Sequence, residues 1–323
     1  MNIKQILEII ASDMANVDTM IYEQLNSDIV LINKLGHYII SGRGKRIRPM
    51  IVVLIARALN YDIKQHVTVA ALIEFIHTAT LLHDDVVDES NMRRGKASAN
   101  ATFGNAASVL VGDFIYTRAF QMIIALESLR VLKLMSEAVN IIVEGEVLQL
   151  MNCHDPDITI ENYMQIIYNK TAKLFEVASQ SSAILAGALP YQEVALRDYG
   201  RYLGTAFQLI DDLLDYGANG NRIGKNTGDD LNEGKSTLPL LHAMHNGTPV
   251  QTSLIRQVIV QGNGRNFMEM ILETMHQCGS LEYTRKCAEE EADKAITCLT
   301  CLSPSPYRDA LENLAHLIVQ RSF

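Results

Sequence analysis

Long apolar runs are missing from the sequence. The longest, such as "MIVVLIA" at 50–56, fall far short of the roughly 20 residues a membrane helix needs, so no transmembrane segment is expected. No tract rich in Pro, Gly or Ser divides the 323 residues, and one domain spanning 1–323 is expected. Tryptophan is absent and prolines number 7, yet 48% of residues are hydrophobic and 20% charged, a globular balance that speaks against disorder. The 5 cysteines are an odd number, and "MNIKQILEIIASDMANVD" has no apolar core leading to a small-residue cleavage site. Free thiols in a reducing, cytoplasmic setting are therefore expected. Cys298 and Cys301 have C-x-x-C spacing, but no second pair follows and His316 is the only nearby His downstream. They read as ordinary helix cysteines and not as a zinc site. A net charge of −9 excludes a general nucleic-acid binder, whose phosphate contacts need a basic face.

Apolar residues recur at three- and four-residue spacing through stretches such as "VAALIEFIHTATLLHDD" and "LKLMSEAVNIIVEGEVLQLM", while strand-like alternation is hard to find. An all-α chain is predicted, with breaks near 41–49, 89–98, 152–158, 217–237 and 245–249. Gly145 and Gly187 fall inside helical patterns, where each costs about 1 kcal/mol against Ala unless close packing compensates.

Two acidic clusters stand out, "LLHDDVVDES" and "QLIDDLLDYG". Residues four apart on a helix point within ~40° of each other, so Asp84 shares a face with Asp88, and Asp211 with Asp215. Asp85 and Asp212 sit beside them. Three carboxylates on one turn repel unless a cation neutralises them, and their hard oxygens suit Mg²⁺ completed by water and substrate phosphate. Val86, Val87, Leu213 and Leu214 argue against a solvated charge run, so the pair reads as two metal-binding walls on different helices of a bundle.

Basic groups surround these acids. "GRGKRIRP" supplies Lys45, Arg46 and Arg48; "MRRG" supplies Arg93 and Arg94; further candidates are Lys170 with Thr171, Gln208, Lys225 and Lys235. Such cations could match the charge of a diphosphate. Two nucleotide motifs fail: "GKS" at 234–236 would need its first P-loop glycine at Asp229, and "GRG" at 42–44 lacks the third glycine and the strand–turn–helix setting.

The two D-D-x-x-D clusters with "GKRIRP", "MRRG", "KT", "FQLIDDLLD" and "GKST", in this order, resemble the all-trans polyprenyl diphosphate synthases over roughly residues 20–320. The resemblance implies about a dozen helices around a central cavity, a homodimer, and Mg²⁺, about three per active site, with Mn²⁺ as an alternative. It implies that an allylic diphosphate such as farnesyl diphosphate ionises and that isopentenyl diphosphate attacks the cation. By the same resemblance, Asp84, Asp88 and Asp211 hold metal with Asp85, Asp212 and Asp215 in support, and Arg93, Lys170, Gln208, Lys225 and Lys235 meet the allylic diphosphate. Lys45, Arg48, His77 and Arg94 hold isopentenyl diphosphate, and Thr171 assists proton removal, with released diphosphate the main base.

Small Ala79 and Thr80 beside the first cluster imply a product longer than farnesyl or geranylgeranyl, with Met122 and Met135 as floor residues or ordinary core. Release of an insoluble product implies peripheral membrane contact. A terpene cyclase would replace the second cluster with an Asn- and Ser-containing motif. A noncatalytic partner subunit would lose carboxylates or cations that this chain keeps.

Overall fold

The computed structural model describes residues 1–42, 44–93, 95–217 and 228–320. Helix dominates them. In chain order they are α1 (Ile3–Ile9), α2 (Ala11–Leu25), α3 (Val30–Ser41), α4 (Ile47–Ala58), α5 (Gln65–Val87), α6 (Ala99–Phe103), α7 (Asn105–Ala125), α8 (Leu129–Asn152) and α9 (Ile160–Ile167). A π-helical turn (Tyr168–Ala172) then leads into α10 (Lys173–Leu185) and α11 (Pro190–Asp215). The chain continues with α12 (Asp229–Asn232), α13 (Leu238–Asn246), α14 (Pro249–Gln261), α15 (Met268–Gln277), α16 (Ser280–Cys298) and α17 (Pro306–Val319). Local sequence starts several of them: Asn2 with Gln5 and Thr248 with Gln251 form capping boxes, and the Thr159 hydroxyl accepts from Asn162 N–H. These side chains satisfy amides that no earlier turn can reach.

The described residues fall in two compact units, one drawn from 1–42, 44–93, 95–138, 174–200 and 296–314, the other from 139–173, 201–217, 228–295 and 315–320. In the first, α4 and α5 are buried over most of their surface, as their largely apolar sequences require. A buried polar group is paired there: Arg57 donates twice to the Asp13 carboxylate, at 2.7 and 2.8 Å, and the His66 Nε2 lies 3.1 Å from it. In the second unit, Tyr216, Leu231, Leu240, Ile255, Ile259, Ile271 and Met275 form a continuous apolar core.

Two departures from the sequence reading have local causes. A hairpin pairs β1 (Met92–Arg93) with β2 (Lys96–Ala97), too short for any alternation to show. Gly187 does not continue a helix: α10 stops at Leu185 and Gly187 takes a left-handed φ of 66°, which a side chain would strain. Helices α5 and α7 are long and apolar enough, by length and composition, to cross a membrane, because helical hydropathy tolerates the polar residues that interrupt the apolar runs. Two-thirds of that window in α5 (67%) is buried within the protein, as in a core helix.

Candidate active site

The first acidic cluster closes α5. Asp84 and Asp85 lie in the last turn, and Asp88 caps it, its N–H donating to the Asp84 carbonyl at 2.8 Å. That bond preserves the four-residue spacing, so Asp84 and Asp88 share a face, both partly exposed. Asp85 is fully buried. Its Oδ1 accepts from the Arg93 Nε at 2.8 Å and pairs with Nη2 at 2.6 Å. Its Oδ2 is buried with no hydrogen-bond partner among the described residues. The hairpin, which holds Arg93 beside the helix end, is fastened by the Tyr38 hydroxyl donating to the Ala97 carbonyl at 2.7 Å.

Beside this corner lies a cavity of about 230 Å³ lined by His77, Thr78, Asp85 and Arg93, with Arg46 and Lys96 at its wall. Arg46 sits in left-handed backbone at the start of α4 and is paired with Asp18. Burial pulls its guanidinium below the ordinary value, and Glu74 offsets only part of that drop. Of the residues expected to hold isopentenyl diphosphate, His77 lines this cavity. Lys45 is exposed, Arg48 lies 4.4 Å over the Phe175 ring, and Arg94 is outside the described residues. Ala79 is fully buried and Thr80 donates to the His77 carbonyl at 2.9 Å; Met122 and Met135 are buried on α7 and α8.

The second cluster closes α11. Asp211 is partly exposed, whereas Asp212 and Asp215 are buried. Asp212 ends a chain of short hydrogen bonds: the Thr171 hydroxyl donates to Gln208 Oε1 at 2.7 Å, and Gln208 Nε2 donates to Asp212 Oδ1 at 2.7 Å. From the other side, the Tyr163 hydroxyl donates to Asp212 Oδ2 at 2.5 Å. Burial and the nearby Asp230 and Asp211 outweigh these bonds and push Asp212 up to about 7. A carboxyl crowded in this way is relieved by a cation. Asp230 N–H donates to Asp215 Oδ2 at 3.2 Å, tying the cluster to α12.

Lys170 rises from the π-helical turn and is held by Glu146 at 2.6 Å and Gln149 Oε1 at 2.7 Å, both on α8. Close approach makes this reach short. A Cβ on Gly145 would lie 2.7 Å from Asn169 Cβ and 3.0 Å from the Lys170 amide nitrogen, so the packing expected to compensate for that glycine is present. Lys235 pairs with Glu233 at 2.7 Å. Among the described residues, no three His, Cys, Asp or Glu side chains close on one point. Magnesium held by one or two carboxylates plus substrate phosphate needs no such cage.

Residues 29–275 match the polyprenyl synthetase family. Octaprenyl diphosphate synthase of Escherichia coli (strain K12) is 70% identical over 321 residues, covering 99% of each chain. The chain belongs to the polyprenyl synthetase family. Another relative, octaprenyl diphosphate synthase of Haemophilus influenzae, is 57% identical over 323 residues, covering 100% of this chain and 98% of its own. The crystal structure of a polyprenyl synthase from Caulobacter crescentus, complexed with calcium and isoprenyl diphosphate, superposes with a TM-score of 0.95 at 42% identity, over 99% of this chain and 98% of its own. The all-α fold is that of the polyprenyl synthases.

Against this family background, Lys225 lies outside the described residues. Sequence reasoning missed Tyr163, Glu146, Gln149 and Lys96. Glu146 and Gln149 carried a weak signal, polar residues three apart in an otherwise apolar stretch of α8. Tyr163 carried none, because its partner Asp212 is far away in sequence.

Proposed function

We propose that this prenyltransferase is an octaprenyl diphosphate synthase, acting as one synthase domain over residues 1–323. It extends farnesyl diphosphate with successive isopentenyl diphosphates, giving a chain suited to a respiratory quinone. The full-length 70% identity to the Escherichia coli octaprenyl diphosphate synthase carries this reading.

The donor set fits a hard divalent cation: partly exposed Asp84, Asp88 and Asp211, the unpartnered buried oxygen of Asp85, and the acid crowding at Asp212. In this proposal those residues, with Asp215, hold about three Mg²⁺, or Mn²⁺ in its place. Bound there, the metal would draw off charge as the allylic carbon–oxygen bond breaks. Arg93, Lys170 and Lys235 stabilise the departing diphosphate, whose negative charge grows in the transition state more than in the ground state. Their ion pairs with Asp85, Glu146 and Glu233 hold each cation in place beforehand. His77 orients isopentenyl diphosphate within the first unit's cavity, with Lys45, Arg48 and Arg94 as further cationic clamps. Thr171, which donates to Gln208, orients the allylic diphosphate, and that released group takes the proton.

A homodimer is part of the proposal, supported by unpartnered apolar side chains on two helices. On α7, Leu110 and Ile124 are 67% and 64% exposed. On α8, Val143, Val147 and Leu150 form an exposed stripe at i, i+4 and i+7 spacing. The metal-dependent reaction is tested by incubating the purified protein with farnesyl diphosphate and labelled isopentenyl diphosphate, before and after chelation. Label should enter allylic products, disappear with EDTA and return with Mg²⁺. No incorporation beside an active synthase in the same buffer would turn the reading toward a noncatalytic partner subunit.

A further inference from the structure

His154 belongs to neither acidic cluster and carries no role in the chemistry above, yet it is fixed at three points. It stands in left-handed backbone, φ 63°, in the loop after α8. Its N–H donates to the Gly234 carbonyl at 2.9 Å. Its ring Nδ1 lies 2.9 Å from the Ile259 carbonyl, and because a carbonyl only accepts, Nδ1 carries the proton.

The ring occupies space that two glycines leave open. A Cβ on Gly234 would overlap the imidazole, and one on Gly262, at the end of α14, would come within 2.8 Å of its Cε1. Gly234 has φ 73°, so both its conformation and its surroundings demand glycine. The imidazole is thus wedged between the Gly234 turn and the C-terminal end of α14.

The residue after Gly234 is Lys235. Its amide donates to the Asp230 carbonyl at 2.8 Å, and the following Ser236 hydroxyl lies 3.5 Å from the Asp155 carbonyl. The His154–Asp155 loop therefore brackets Lys235 from both sides. We propose that His154 is a positioning residue that sets the Gly234–Ser236 turn and thereby aims the Lys235 ammonium at the allylic diphosphate. The proposal rests on the reading above that Lys235 binds that group. Displacing a cation by about 1 Å can cost up to a hundredfold in a positioned reaction.

His154→Gly tests it, since glycine keeps the left-handed backbone and the N–H bond to Gly234 while removing the ring. The expected result is a KM for farnesyl diphosphate raised about tenfold, with the KM for isopentenyl diphosphate unchanged. Imidazole added to the buffer should restore the first value by refilling the space. In a Lys235→Ala background, His154→Gly should add nothing further, because its effect passes through Lys235. If His154→Gly does not fold, His154→Asn, which accepts the same backbone but falls short of Ile259, takes the same measurements. A raised farnesyl diphosphate KM in Lys235→Ala with a wild-type value in the His154 variant overturns the proposal and leaves the Lys235 reading intact. Multiplicative effects of the two substitutions also overturn it. An unchanged KM in Lys235→Ala overturns both.

Discussion

Replacing Gly145 with Ala should damage catalysis far more than stability. The added Cβ would meet Asn169 Cβ at 2.7 Å and the Lys170 nitrogen at 3.0 Å, where carbon atoms normally rest 3.5–4.0 Å apart. The π-helical turn carrying Lys170 and Thr171 must then retreat by about 1 Å. Overpacking of this kind costs about 1–3 kcal/mol, offset by about 1 kcal/mol from the better helix propensity of Ala. The net loss is about 0–2 kcal/mol. An unfolding entropy near 2.1 cal/mol/K per residue over this chain makes 1 kcal/mol worth roughly 1.5 °C, so Tm should fall by at most about 3 °C. If Lys170 meets the diphosphate as proposed, the same 1 Å shift there is expected to cost on the order of a hundredfold in kcat/KM. Gly187→Ala is the control: φ 66° strains any side chain by about 1–2 kcal/mol, but nothing lies within 4 Å of its Cβ. Thermal melts and steady-state kinetics on both variants decide the matter. Wild-type kcat/KM in Gly145→Ala, or equal losses in the two variants, would refute the reasoning.

Further substitutions test other parts of the structure. Asp212 is raised from 3.8 to about 7 in the folded metal-free protein, so it destabilises the fold progressively as pH rises between those values. Asp212→Asn should therefore gain Tm relative to wild type between pH 5 and 8 in EDTA, and parallel curves would contradict the shift. Asp13 moves the other way: burial alone would raise it, but Arg57 and His66 together lower it below 3.8. Its contribution is present above that pH and lost as pH falls through the folded value, so the Tm deficit of Asp13→Asn should shrink in acid. Ala79→Tyr should shorten the product, because a fully buried small residue beside the first acidic cluster would become a bulky ring; unchanged chain length would remove Ala79 from the elongation path.

How much of this was legible in the sequence depended on where each partner lay. The acid triples declared themselves because their chemistry is written at four-residue spacing on one helix, and α5 and α11 end at those residues as expected. Helices α3 and α13 also end, at Ser41 and Asn246, where turn-forming residues cluster. By contrast, the hold on Lys170 depends on Glu146 and Gln149 from another helix, and the hydrogen bond from Tyr163 to Asp212 links residues 49 apart. No local pattern encodes such pairs. The π-helical turn under Lys170 and Thr171 was hidden too, since one extra residue in a turn leaves the apolar spacing almost unchanged.

The most direct test of the account is the product itself. Purified protein with Mg²⁺, farnesyl diphosphate and labelled isopentenyl diphosphate should yield, on chromatography, a ladder of allylic diphosphates that ends at about eight isoprene units. A ladder ending at three or four units would contradict the long-chain reading.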